Sequence, residues 1–190
     1  MYLWIYCKPL WEIGVLAFLA ILVWTFGAIF AKNKKIWQIL NGVIGALLFF
    51  AILYKLLLER TPSWERVLYL EPFHFFRTGN PNEEYGRMLV MNTFLFCPFG
   101  LCLSMALPKK IPLALRVLIT VLVGVIYSIW GEATQYFTGR GTAETDDVIF
   151  NSVGMLIGTI PIILEHIILK HGLKEKMIAF IKEGSKSTTI

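Results

Sequence analysis

The sequence predicts an all-α, polytopic membrane protein with about five transmembrane helices and one short interfacial helix on the outer face. Of its 190 residues, 56% are hydrophobic and only 16% charged, whereas soluble domains run near half apolar with about a quarter charged. Five apolar runs, 10–31, 36–58, 88–107, 111–130 and 148–169, each reach the roughly 20 residues that a helix needs to cross a hydrocarbon core. The runs are continuous, whereas the strands of a transmembrane barrel would alternate.

The first run, Leu10 to Ala31, follows a segment that lacks the basic region, short apolar core and small-residue cleavage site of a secretory signal. It is therefore expected to stay in place as a span. Lys32, Lys34 and Lys35 separate it from the second run, Lys109 and Lys110 separate the third from the fourth, and residues 170–190 form a basic tail. Every second connection is basic, and short cytoplasmic loops carry an excess of Lys and Arg. Eleven of the 18 basic residues, against three of the 13 acidic ones, fall on this side. Five spans then place the amino terminus outside and the carboxyl-terminal tail in the cytoplasm. The net charge of +5 is accounted for by topology and requires no nucleic acid partner.

Between the second and third runs, Arg60 to Arg87 is too polar to span. Within it Trp64, Val67, Leu68 and Leu70 supply one apolar face for an interfacial helix that Pro72 would end, and Asn80-Pro81-Asn82 marks a turn. Trp11, Trp64 and Trp130 fall at the outer interface and Trp37 at the inner one. Glu12, Lys55, Arg116, Glu165 and His166 lie near the ends of their runs, where long side chains are expected to reach the headgroups. Pro98 and Gly100 are read as loosening the third helix. Cys97 and Cys102 lie on different faces of that helix, so no disulfide is expected. His74, His166 and His171 are scattered, which gives no metal site and identifies no cofactor. No repeat divides the chain, so residues 1–190 are expected to form one domain.

Polar chemistry concentrates between the fourth and fifth runs. Glu132 and Gln135 share a face if the fourth helix continues outward, and Arg140 sits between Gly139 and Gly141 where the chain reverses. Asp147 and Asn151 share a face of the fifth helix, above Gly154 and Gly158, whose small-xxx-small spacing admits a second helix backbone. A purely structural account has Thr145 as N-cap and Asp146 and Asp147 as first-turn charges favoured by the helix dipole. Glu132, Gln135 and Asn151 fit that account less well. Polar residues converging from two helices at a membrane edge point to a functional site, and Asn92 at the end of the third run either joins them or serves as polar glue between helices.

The series Glu132-x-x-Gln135, Gly139-Arg140-Gly141-Thr142 and Asp146-Asp147-x-x-x-Asn151-x-x-Gly154-x-x-x-Gly158 resembles the signature of VanZ-like membrane proteins. Asn92-Thr93-x-Leu95-Phe96-x-Pro98-Phe99-Gly100 resembles the preceding span of that family, and Arg60 its upstream arginine. Where the family often has Thr-Phe-Glu, this chain has Thr142-Ala143-Glu144. The resemblance covers residues 50 to 160 and implies a bacterial cell-membrane protein, related to one associated with low-level resistance to the lipoglycopeptide teicoplanin. Membrane lipids, and a lipoglycopeptide or cell-wall lipid precursor, are the partners it implies. On this reading Glu132, Gln135, Arg140, Asp146, Asp147, Asn151, Asn92 and Arg60 form an outward site that acts on envelope or antibiotic tolerance without catalysis. Two alternatives stay open. One is an enzyme acting on a lipid headgroup or cell-wall precursor, with Glu132 or Asp147 as acid or base and Arg140 holding a phosphate. The other is a cation site with Glu132, Glu144, Asp146 and Asp147 as oxygen ligands.

Overall fold

The computed structural model describes residue 15, residues 18–57, 66–73 and 83–179, with the backbone alone for residues 56–57 and 83–90. The described chain is mostly helical. In order it forms α1 (Phe18–Phe30), α2 (Lys34–Leu57), a two-residue strand β1 (Leu68–Tyr69), α3 (Glu83–Ala106), α4 (Leu113–Thr138), β2 (Ala143–Glu144), α5 (Thr145–Gly158) and α6 (Ile160–Lys170), with a final helical stretch over 173–179. Three helical segments are long and apolar enough to cross a membrane, namely Lys34–Lys55, Leu113–Thr138 and Thr145–Lys170; Phe18–Phe30 and Met91–Ala106 are shorter apolar helices. Only 17% of the apolar window of α2 and 28% of that of α4 is buried within the protein. The rest of this apolar surface needs lipid to cover it.

The α1–α2 hairpin is closed by its own loop. Asn33 Oδ1 accepts the N–H groups of Lys35 (3.0 Å) and Ile36 (3.1 Å) as N-cap of α2, and Lys34 Nζ turns back to the final carbonyls of α1, Ala28 O and Ile29 O. Each helix end thus gains partners for backbone groups that the helix itself leaves open. Gly27 leaves room for the Trp37 ring, since a Cβ there would stand 2.5 Å from Trp37 Cη2. Trp24 Nε1 donates to Asn41 Oδ1 (2.8 Å), completing the hairpin.

α3 and α5 form the most closely packed pair. A Cβ on Gly154 would collide with Thr93 O, and one on Gly158 would stand 2.5 Å from both Cys97 O and Leu101 N. Both glycines therefore face the backbone of α3. Gly100 acts in the same contact from the other side, because a Cβ there would lie 2.6 Å from Met155 O. Gly124 on α4 leaves the space that the Met155 side chain fills. Met155 is wholly buried with Phe96, Ile52, Phe99 and Tyr127. Tyr127 stacks on Phe49 at 4.4 Å and donates its hydroxyl to Phe49 O (2.7 Å), which ties α4 to α2. Cys97 and Cys102 are free and buried on opposite sides of α3, toward Gly158 of α5 and Gly45 of α2.

Several expectations are revised. α4 runs two turns past Trp130, to Thr138, which brings Glu132 and Gln135 into the helix. The fifth run is two helices, α5 and α6, interrupted at Thr159. Pro161 has no N–H to return to Ile157, and Thr159 Oγ1 donates to Leu156 O (2.7 Å) at the break. Val67, Leu68 and Leu70, assigned to an interfacial helix, are not helical: Leu68–Tyr69 is a strand, parallel to β2, with Leu68 opposite Ala143 and Tyr69 opposite Glu144. Trp64, with the rest of 60–65 and with 74–82, lies outside the described residues. Arg116 and Glu165, expected to reach for headgroups, are buried.

Candidate functional site

The polar residues of α4 and α5 meet at one end of the bundle. α4 stops at Gly139, which is left-handed (φ 64°) and hydrogen-bonds through its N–H to Tyr136 O (3.3 Å), while the Arg140 N–H donates to Gln135 O (3.0 Å). This is the usual glycine termination of a helix. Gly141 (φ 132°) then lets the chain reverse, β2 pairs with β1 through Ala143 N–H to Val67 O (3.0 Å), and α5 begins at Thr145.

Glu132 lies one turn before the end of the buried face of α4, and its Oε2 accepts the N–H of Glu144 at 3.0 Å. The carboxylate on the helix thereby fixes the returning strand. Asp146 Oδ1 accepts the Phe73 N–H at 2.6 Å, and Thr145 Oγ1 donates to Leu70 O at 3.0 Å. With the β1–β2 pair, these bonds clamp residues 67–73 onto the start of α5. Asp147 Oδ1 accepts from Asn92 Nδ2 (2.6 Å) on α3, and Asn151 Nδ2 donates to Ser128 Oγ (2.8 Å) on α4. Three helices and the 66–73 segment are therefore joined by one polar layer.

Burial makes that layer costly to disturb. Glu132 (6%), Gln135 (0%), Asp146 (2%), Asp147 (5%) and Asn151 (2%) expose almost no surface, and buried polar groups that lose their partner cost about 1–3 kcal/mol, more when charged. Asp146 Oδ2 and Asn151 Oδ1 are buried without a hydrogen-bond partner among the described residues. Arg140 is half-buried at the reversal. Arg60 lies outside the described residues.

Asp146 and Asp147 stand in the first turn of α5, as the capping account expects, but the Thr145 cap itself is not formed. α5 has Glu144, not Thr145, at its N-cap position and no side-chain capping bond, and the hydroxyl of Thr145 and the carboxylates of Asp146 and Asp147 reach other segments. Ser128 belongs to the layer and was not singled out by the sequence. The signal was present: Ser128, Glu132 and Gln135 stand at i, i+4 and i+7, one continuous helix face. Among the described residues no group of three or more His, Cys, Asp or Glu is arranged to hold a metal ion. Glu132, Asp146 and Asp147 bond to three different groups, Glu144 N–H, Phe73 N–H and the Asn92 amide.

Long apolar helices with lipid-facing surfaces, joined at one end by a buried carboxylate and amide layer, define a helical membrane protein. Residues 14–167 match the family described as VanZ/LLP1, and the chain belongs to that family. Neither the comparison with curated proteins nor that with solved structures finds a match.

Proposed function

We propose that this VanZ-family protein is a five-span membrane protein, amino terminus outside and carboxyl terminus in the cytoplasm, whose signature layer lies at the outer face. Its role there is non-catalytic: it holds a contact surface that alters envelope exposure to lipoglycopeptides of the teicoplanin type, or to a cell-wall lipid precursor. The observation that carries this reading is how the signature carboxylates are bonded. Glu132 and Asp146 accept main-chain N–H groups of Glu144 and Phe73, and Asp147 accepts the Asn92 amide. What they hold in place is a ledge whose Leu68, Leu70 and Phe73 side chains are exposed, with exposed Phe137 at the end of α4. An apolar ledge beside a half-buried Arg140, at the edge of the lipid, suits a ligand with a polar body and an acyl chain.

The enzymatic alternative gains no support from this bonding. The test is susceptibility of a host carrying the parent or a variant to teicoplanin and to a glycopeptide without an acyl chain. Leu70→Ser with Phe73→Ser is expected to abolish protection against teicoplanin alone while membrane levels stay at the parent value. Protection that survives this change would refute the ledge as the contact surface.

A further inference from the structure

The opposite end of the bundle carries a second charged cluster, built differently from the first. Arg116 stands in the first turn of α4, 16 residues before Glu132 and so about 24 Å away along the helix. Only 6% of its surface is exposed. Its Nη2 donates to Ser104 O (2.7 Å), and its Nε has no acceptor among the described residues. Glu165 of α6, 5% exposed, pairs with Lys109 and lies close enough to Arg116 for the charges to interact. Lys34, besides closing the α1–α2 loop, feels the charges of Lys109, Lys174 and Glu165. Lys109, Arg116 and Lys34 thus gather around Glu165, and Lys174, whose charge reaches Lys34, sits 5.8 Å above Phe30.

We propose that Lys34, Lys109, Arg116 and Lys174, organised around Glu165, bind the phosphate of an anionic lipid headgroup. A bias of basic residues toward one side of a membrane requires only their number. It does not require a guanidinium nine-tenths buried with an unused donor, nor convergence from four parts of the chain. Excess positive charge at the edge of a hydrocarbon layer calls for an anion, and phosphate oxygens accept several charge-assisted hydrogen bonds at once. Basic pockets between membrane helices are suited to lipid headgroups in this way. The surroundings favour a lipid over free phosphate: Phe30 under Lys174 stacks on Phe26 at 4.9 Å, and Phe26, Leu22 and Phe18 remain exposed further along α1. They give acyl chains an apolar track leading away from the cations.

The experiment uses the purified full-length protein in neutral detergent. Its melting is followed with added dioleoylphosphatidylglycerol, with dioleoylphosphatidylcholine, and with inorganic phosphate or glycerol phosphate at matched ionic strength. Phosphatidylglycerol is expected to raise the midpoint by about 5 °C, with little effect of the other additions, and native mass spectrometry is expected to show retained phosphatidylglycerol. Lys109→Gln with Lys174→Gln should lose most of that shift. Lys170→Gln with Lys176→Gln, which removes the same charge from exposed positions at the same end, should keep it. Equal loss in both double variants would reduce the effect to a diffuse field and overturn the site. Equal shifts with both lipids would overturn it as well. A full shift with phosphate alone would overturn the lipid assignment and make a soluble phosphate compound the ligand. If the first double variant does not fold, the parent's retention of phosphatidylglycerol over phosphatidylcholine in the mass spectrum decides.

Discussion

Gly158→Ala adds one methyl group at the backbone contact between α3 and α5, and the structure allows its cost to be worked out. The new Cβ would lie 2.5 Å from Cys97 O, 2.5 Å from Leu101 N and 2.7 Å from Gly100 C. Each distance is roughly 0.9 Å or less inside the 3.4 Å at which ordinary contact begins. All three atoms are main chain, inside α3, so no side chain can swing aside and the two helices must part. Overpacking of this kind typically costs about 1–3 kcal/mol, or about 3–10 °C of melting temperature for a chain of this size. Gly42→Ala supplies the contrast, since its Cβ would find only Ala106 Cβ at 3.8 Å and it replaces a helix-interior glycine by a better helix former. It is expected to be neutral or slightly stabilising. A thiol-reactive dye on a Cys7→Ser background reads both, because Cys97 and Cys102 are free and buried and are exposed on unfolding. A Gly158→Ala variant melting within a degree of the parent, or a Gly42→Ala variant destabilised as much, would refute the backbone-contact argument.

Three further outcomes follow from the polar layer and the charge pattern. Asp147→Ala strands the Asn92 amide and should cost about 1–3 kcal/mol, and a double-mutant cycle with Asn92→Ala should return a coupling of about 0.5–3 kcal/mol in the same thermal assay; a coupling near zero would mean the bond contributes nothing. Asp146→Ala removes the acceptor of the Phe73 N–H and should speed hydrogen exchange over residues 66–73 at least tenfold while leaving α3 unchanged, as read by mass spectrometry. In intact cells an impermeant thiol reagent should label Thr142→Cys and spare Lys34→Cys and Lys109→Cys, each on the Cys7→Ser background; labelling at position 109 would reverse the proposed orientation.

Helices were the most legible part of the sequence because lipid-facing surface imposes continuous apolar runs, and α2 departs from its run by only a residue or two. Where the structure departs further, tertiary partners set the outcome. α4 outlasts its apolar run because Gly139 ends it, not the first polar residue, and Glu132 and Gln135 become interior once β2 and α5 cover them. β1 could not be told from a helical face: its pairing partner lies 75 residues further on, and four apolar residues in five satisfy either period. Thr145 looks like a cap from its neighbours in sequence, yet Leu70 O, far away in the chain, takes its hydroxyl. Arg116 and Glu165 looked like snorkelling residues because each lies near the end of its run, yet both are buried against the protein. Depth follows from the position in the run, whereas facing inward depends on which neighbour packs there.

The two ends of the bundle differ in what balances their charge, and that difference bears on how the family signature works. At the signature end the carboxylates meet donors already fixed in the fold: a strand amide, a loop amide and an asparagine on another helix. Each of these bonds ties its carboxylate to a segment remote in sequence. Losing one releases a segment, and loss of function in a signature variant is then expected even if no ligand touches the residue. At the basic end Lys34, Lys109, Arg116 and Lys174 outnumber Glu165 and Glu175, and the anionic lipid proposed above would supply the balance. On the function proposed above, the signature builds a surface and the basic cluster holds an anion, and ligand contact falls on side chains other than the carboxylates. The exposed ledge of Leu68, Leu70 and Phe73 and the track along Phe30 and Phe26 are where the side chains remain open to a partner.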